Sequence, residues 1–383
     1  MESGKVALIT GIGGQDGSYL TEFLIKKGYR VRGIIRRASW PNTQRIFHLM
    51  KEYEVEDDDN SRFWLRYADL TDASSLRTII EKFKPDEIYN LGSQSHVGIS
   101  FQNPISTLDI NSIGPLRILD IIRDMKIPCK YYQASSSEMF GISPPPQNEK
   151  TPMLPQSPYG IAKLAAYHLT KMYRNSYGIF SSNGILFNHE SPRRGINFVT
   201  RKITIGIAKM LTGDEARITL GNLDAKRDWG YSKEYVEAMW KILQHHEPED
   251  FVIATGETHT IREFIEECFN LISMPLASNE KQGADEKYFD ENWNVRVDIH
   301  PKYYRPSEVP ALLGDASKAK RLLGWEPKTK FKELAKMMLA ADLKDRFERA
   351  GILPIEPGVE KPDEFYLEKA RELADKLKLK KSN

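Results

Sequence analysis

Cysteine is scarce in this chain, and so is any excess of charge. Two cysteines, Cys129 and Cys268, stand among 383 residues. That is too few for a disulfide framework or a thiolate metal site, and it suits a reducing compartment. The 55 Lys and Arg against 53 Asp and Glu leave a formal net charge of +2, which excludes a bulk electrostatic pull toward nucleic acid or a membrane surface. No apolar stretch approaches the ~20 residues that span a bilayer. No basic segment followed by an apolar region opens the sequence, as a secretory signal would. The eight histidines are scattered. Their one adjacent pair, His245-His246, points to diverging sides of a helix, so no metal is assigned. No internal repeat is visible. A composition of 40% hydrophobic and 28% charged residues is that of a globular protein with a sizeable core. A cytoplasmic enzyme or binding protein is expected, without nucleic-acid or membrane partners.

Against these absences the chain has a clear rhythm. Lys5 to Thr10 (Lys-Val-Ala-Leu-Ile-Thr) reads as a buried parallel strand. A glycine-rich turn follows, then helical periodicity over Ser18 to Lys27, ended by Gly28. Tyr29 to Ile35, Trp64 to Ala68, Glu87 to Asn90, Lys130 to Ala134 and Phe180 to Leu186 read as further strands. Ser74 to Phe83, Thr107 to Met125 and Ser157 to Tyr177 read as helices between them. Alternation at this spacing predicts an α/β fold, a doubly wound parallel Rossmann sheet. After residue 188 the rhythm breaks into segments rich in Arg, Asn, Gly and Pro. The predicted organisation is a dinucleotide-binding domain over 1–187, with a strand returning at 250–256. A smaller, mainly substrate-binding α/β region over 188–350 and a helical tail over 351–383 complete it. Asn279 to Asn294 reads as a polar loop, and 363–383 as an amphipathic Lys-rich helix.

Two places carry chemistry. Gly11, Gly14 and Gly17 sit after a strand and before a helix, where glycines allow a tight turn and close approach of a pyrophosphate to the helix N-terminus. At the end of the second strand an acid would bond the ribose diol of NAD. Arg36 and Arg37 stand there instead, and two guanidiniums suit the 2′-phosphate of NADP. Asp69 and Leu70 end the third strand; Asp69 is placed either to border the adenine or to cap the next helix. The second place is residues 134–163. Tyr159 and Lys163, four apart on a helix, project from one face. A nearby ammonium lowers a phenol from its usual ~10 toward the working pH, so Tyr159 can take a proton from an alcohol. The hydroxyls of Ser135, Ser136 and Ser137 are placed to hold that oxygen. Glu138 adds a second acid/base group that simple alcohol oxidation does not need, and this points to a multistep reaction.

Longer stretches then resemble the GDP-mannose 4,6-dehydratases, a family of the extended short-chain dehydrogenase/reductase superfamily. They include Gly14-Gln-Asp-Gly-Ser-Tyr-Leu20, Tyr89-Asn-Leu-Gly-Ser-Gln-Ser-His-Val97 and Phe187-Asn-His-Glu-Ser-Pro-Arg-Arg-Gly195. Asn197 to Ile203, Leu220 to Gly230, Phe251 to Gly256 and Tyr304 to Val309 extend the resemblance over residues 4–345. The resemblance implies Tyr159 as general base, Lys163 as its partner, Glu138 as second acid/base group and Ser136 in the place of a catalytic threonine. It implies cofactor contacts at Gln15, Asp16, Leu91, Gly92, Ser93, Ser95, His189 and Arg194. Around the nucleotide sugar it implies Ser95, Asn188, Lys202, Arg227, Arg305 and Glu308.

The implied reaction oxidises C4 of a GDP-sugar, eliminates water across C5 and C6, and reduces C6, with NADP as retained cofactor. A 4-epimerase or 4-reductase on this fold would need Tyr159 and Lys163 but not Glu138; a non-catalytic NADP-binding regulator would need none of the four. Gly13, Ser106, Ser136 and the pair Tyr231-Ser232 depart from the family pattern, and they leave open which manno-configured sugar, a hexose or a heptose, is preferred. Residues 36–45 resemble the loop by which such enzymes meet a neighbouring subunit, with Trp40 as apolar anchor, so a homotetramer is expected.

Overall fold

Val6–Thr10 (β1) is buried along its whole length, as an apolar run must be when helices cover both faces of its sheet. Alternate residues serve opposite layers. Ala7 and Ile9 enter one apolar cluster with Leu20, Leu24, Tyr235 and Met239. Leu8 enters the other with Ile79, Ile80, Ile118 and Ile122. In the computed structural model, residues 4–39, 42–53, 61–356 and 358–379 are described. Arg30–Ile35 (β2), Phe63–Tyr67 (β3), Glu87–Asn90 (β4), Lys130–Ser136 (β5), Ser181–Leu186 (β6) and Phe251–Ile253 join β1 in one sheet, every pairing parallel. Among the described residues the order is Phe251–Ile253, β6, β5, β4, β1, β2, β3. The direction of winding reverses between β1 and β4, and in open parallel sheets the crevice beyond the strand ends at that point receives ligands. Gln15–Lys26 (α1) and the helix Ser232–Gln244 cover one face; Ala73–Phe83, Gly114–Met125 and Pro158–Tyr177 cover the other. The doubly wound α/β reading of the sequence is thus what the chain folds into.

The chain divides into two compact units. The first is Met1–His189 with Gly230–Glu257 and Ala311–Lys328; the second is Glu190–Trp229 with Thr258–Pro310 and Thr329–Asn383. The first unit therefore takes back, besides the strand expected near 250–256, the helix Ser232–Gln244 and the short helix Ser317–Leu323. The second unit is more regular than its composition suggests. Its four-stranded sheet runs in the order Ala277–Ser278, Lys287–Phe289, Val295–Ile299, Ile218–Leu220. Helices Val199–Leu211, Ile261–Leu271, Phe331–Arg349 and Asp363–Leu379 complete it. Arg201 and Asp342 form a buried ion pair at 2.7 Å, reinforced by the Thr204 hydroxyl. The tail helix buries its apolar face through Tyr366, Leu367, Ala370 and Ala374. Among the described residues no helix is long and apolar enough to cross a membrane.

Two elements correct the sequence reading. The polar stretch 279–294 contains the strand Lys287–Phe289, because Tyr288 alone turns inward and is buried while its neighbours stay outward. The helix expected over Thr107 to Met125 is broken. It runs Pro104–Leu108, then a π-helical turn Asp109–Ile113, then Gly114–Met125. A π-turn places one extra residue in the helix, frequently at functional sites; this one contains Asn111.

Candidate active site

Tyr159 reaches the site because the sequence starts its helix one residue before it. Ser157 is the N-cap, its hydroxyl accepting from the Gly160 N–H, and Pro158 fills the first helical position. The opposite wall is the end of β5. There the Ser136 hydroxyl accepts from the Glu138 N–H at 3.3 Å and opens the short turn Ser137–Met139. Two contacts join the walls. Lys163 Nζ donates to the Ala134 carbonyl at 2.8 Å. A β-carbon at Gly160 would stand only 2.7 Å from the Glu138 carbonyl oxygen, so only glycine lets the helix come this close. Ser136, Glu138, Tyr159 and Lys163 are all buried, with Lys163 Nζ 5.8 Å from the centre of the Tyr159 ring. Burial pulls the Lys163 ammonium down to about 8, against a smaller opposing pull from Asp16. The hydroxyl run contributes less than its sequence suggests. Ser135 donates at 3.0 Å to Asn183, on the neighbouring strand inside the sheet, so it is not aimed at a substrate.

Beside these groups lies the glycine turn. Gly11 has φ +69°, and a β-carbon on Gly17 would stand 2.4 Å from the Gly11 carbonyl oxygen. Asp16 accepts from Ser232 Oγ at 2.7 Å and Gln15 Nε2 at 3.1 Å, and it pairs with His189 Nε2 at 2.8 Å. Gln15 also donates to the His189 carbonyl. Gly13 is not a neutral replacement. A side chain there would meet the Asn42 carbonyl at 2.4 Å, and Arg45 donates to the Gly13 carbonyl. The segment after β2 thus folds onto the turn. Arg36 and Arg37 are exposed at its start; Trp40 lies outside the described residues.

The second loop at the reversal point, Leu91 to Ser95, is held by Asn111. Its Oδ1 accepts from the Ser93 hydroxyl and the Gln94 N–H, and its Nδ2 donates to the Gln94 carbonyl. The Gly92 N–H donates to Thr10 Oγ1. Leu70 is buried. Asp69 does not cap the following helix. It accepts from the N–H and hydroxyl of Thr71, while Asp72 caps Ala73–Phe83. Ser95 and Ser106 are exposed and Asn188 is half-buried.

The second unit brings three of its expected residues together. Glu308 accepts from Arg227 at 2.8 Å and pairs with Arg305 at 3.4 Å; Arg227 also donates to the Val309 carbonyl. Lys202 lies over the Tyr303 ring, two residues from Arg305. Arg194 stacks on Phe198 at 3.8 Å and pairs with Glu190.

Two supporting residues escaped the sequence reading. Asn111 carried no signal, because an asparagine inside a helical pattern reads as solvent-facing. Ser232 was visible only as a departure from a family pattern, and nothing local tied it to Asp16.

A protein-family model described as GDP-mannose 4,6 dehydratase matches residues 8–338. The chain is 51% identical over 347 residues to GDP-mannose 4,6 dehydratase 2 of Arabidopsis thaliana, covering 90% of this chain and 88% of that one. It is 52% identical over 348 residues to the GDP-mannose 4,6 dehydratase of Homo sapiens, covering 89% and 93%. Among solved structures it resembles RMD from Pseudomonas aeruginosa complexed with NADPH, with a TM-score of 0.67 and 22% identity, over 88% of this chain and 98% of that one. It also resembles the UDP-glucose 4-epimerase of Thermus thermophilus in complex with NAD, with a TM-score of 0.70 and 22% identity, over 88% and 98%. At that identity the structural likeness speaks for the fold.

Proposed function

This chain belongs to the GDP-mannose 4,6-dehydratase family, and we propose that it converts GDP-mannose to GDP-4-keto-6-deoxymannose and water with NADP as retained cofactor. The observation that carries the reading is the joining of Ser136 and Glu138, at the end of β5, to Tyr159 and Lys163 on one buried helix start. An epimerase or reductase would need Tyr159 and Lys163 but has no use for Glu138.

The residues present fit a dinucleotide. Gly14 is the N-cap of α1 and has no side chain to occupy the first-turn N–H groups, so they can face a diphosphate. Gly11, Gly14, Gln15, Asp16 and Gly17 would hold it, with Leu91, Gly92, Ser93, Ser95, His189 and Arg194 along its length and Asp69 and Leu70 beside the adenine. The preference for NADP over NAD rests on Arg36, exposed directly after β2, and on the lack of an acid at residues 36–39. The likeness to folds solved with NADPH and with NAD supports a nicotinamide cofactor of either kind.

A bound nicotinamide would supply the redox chemistry, a reversible hydride transfer between C4 and C6 of the sugar. Tyr159, as phenolate beside the Lys163 ammonium, takes the C4 hydroxyl proton. The resulting ketone acidifies C5–H. Glu138 removes that proton and delivers it to the C6 oxygen, which leaves as water. Tyr159 then returns its proton to C5, so the only net loss is one water. The Ser136 hydroxyl lies beside Glu138 and orients the C4 oxygen. Asn188, Lys202, Arg227, Arg305 and Glu308 are the groups proposed to bind the nucleotide sugar, Arg305 as a bidentate diphosphate donor. Mass spectrometry after incubation with GDP-mannose tests the reading. Loss of one water supports it; no mass change or a gain of two hydrogens overturns it.

The enzyme is proposed to act in the cytoplasm as a homotetramer, with residues 36–45 near a neighbouring subunit's cofactor. Light scattering at micromolar concentration is expected to give a tetramer, and a monomer would refute the assembly.

A further inference from the structure

The Asp16 carboxylate sits where several distant segments of the first unit meet. Ser232 Oγ donates to its Oδ1 at 2.7 Å and Gln15 Nε2 at 3.1 Å, while His189 Nε2 stands 2.8 Å from Oδ2. The other ring nitrogen of His189, Nδ1, stands 2.7 Å from the Phe187 carbonyl oxygen. A carbonyl oxygen only accepts, so Nδ1 carries a proton. An ionised carboxylate also only accepts, so Nε2 carries one as well. Both conditions hold together for an imidazolium beside a carboxylate. The alternative, a neutral ring beside a protonated Asp16, is disfavoured by the two further donors on the same carboxylate. The Tyr235 ring stacks on His189 at 4.7 Å and 22°, and a π face also favours the charged ring.

We infer that Ser232 is a positioning residue for the cofactor-binding turn: its hydroxyl holds the Asp16 carboxylate ionised, and through it the His189 imidazolium, so that α1 is fixed against the strand end at Phe187 before any cofactor arrives. The inference rests on the proposed reading of Asp16 and His189 as cofactor contacts. The links span 216 residues from Asp16 to Ser232 and 173 from Asp16 to His189, so the chain's own continuity supplies no such constraint. Ser232 is fully buried; without its hydroxyl the partly exposed Asp16 carboxylate loses a fixed donor and has only solvent to replace it.

Ionisable groups that face this pair include Lys163 from the helix Pro158–Tyr177, Tyr132 from β5 and Tyr235 from the helix Ser232–Gln244. The Lys163 ammonium supports an ionised Asp16. The Tyr132 phenol is pushed up by burial and stays neutral. Asp16 therefore couples the glycine turn to the lysine that serves the proposed base.

The test uses the full-length protein without cofactor, with isotopically labelled histidine and the His189 ring signals assigned by their loss in His189→Gln. The wild-type ring is expected to stay doubly protonated well above the ordinary imidazole midpoint of ~6.5. In Ser232→Ala that midpoint is expected to fall by about one pH unit, and the dissociation constant for NADP to rise about tenfold. Ser232→Thr keeps a hydroxyl and is expected to restore both. Ser232→Cys keeps the size with a weak donor, tests the same point should the alanine variant fail to fold, and is expected to behave like alanine. A His189 midpoint near the ordinary value in the wild type, or one unmoved in the alanine and cysteine variants, overturns the inference. A wild type that binds no NADP but shows the raised midpoint and its fall would refute the cofactor reading and support the lock.

Discussion

Lys163 is a residue that the fold would be more stable without. The residue is 4% exposed, and burial lowers its ammonium from 10.5 to about 8. At about 1.4 kcal/mol per pH unit, that fall means the charged form costs the folded state roughly 3 kcal/mol. Lys163→Met removes the cost and keeps most of the apolar stem. It also removes the hydrogen bond to Ala134, a loss of about 1 kcal/mol. The balance is a variant about 2 kcal/mol more stable at pH 7, which raises Tm by a few degrees for a protein this large. The unfolded chain holds the Lys163 proton more tightly than the folded one does. Stability of the wild type therefore rises with pH between about 8 and 10.5. The variant, lacking the group, does not share that rise, so its advantage shrinks through this window and reverses near its upper end. Thermal melts of both proteins without cofactor, across pH 7 to pH 10.5, read the difference directly. Turnover by the variant is expected to fall by about 10²-fold or more. The reasoning is refuted if the variant melts below the wild type at neutral pH, or if the difference between them is flat across the window.

The sheet was legible because buried parallel strands announce themselves as apolar runs; Val6 to Thr10 admits little else. The glycine turn and the Tyr159–Lys163 pair were legible for a related reason, since both are local patterns whose geometry follows from spacing along one element. What was not legible depends on which segments meet. The apolar pattern of Ser232–Gln244 says that one face is buried but not that α1 is its partner, so that helix and residues 311–328 could not be assigned to the first unit, although the returning strand near 250–256 could. Asp69 and Asp72 both precede a helix. Only the backbone decides that Asp72, extended at ψ 97° with Ser74 and Ser75 donating to it, is the cap. Asn111 reads as an ordinary helix residue until the π-turn shows it bonded to Gln94. In the strand Lys287–Phe289 a single inward tyrosine is too short a pattern to stand out from polar loop.

Glu138→Gln is expected to lower turnover by about 10²-fold or more while still producing reduced-nicotinamide absorbance on addition of GDP-mannose; wild-type turnover would remove Glu138 from the elimination. Arg36→Ala is expected to weaken NADP binding much more than NAD binding, and tighter binding of NAD by the wild type would defeat the reading of the β2 end. Gly17→Ala separates the glycine turn's geometry from ordinary stability. The added β-carbon would stand 2.4 Å from the Gly11 carbonyl oxygen and 2.6 Å from the Ile12 α-carbon. Both are backbone atoms, so no rotamer change relieves the clash and α1 must move off the turn, at a cost of about 1–3 kcal/mol. Gly178→Ala is the control. That glycine has φ +66° at the end of the helix Pro158–Tyr177, with nothing within 4 Å of a β-carbon. It pays only the left-handed strain, about 1 kcal/mol. Comparable loss of Tm is thus expected in the two variants, but loss of NADP affinity only in Gly17→Ala. Equal affinity in both, measured by titration, would show that the close packing at Gly17 serves the fold and not the cofactor.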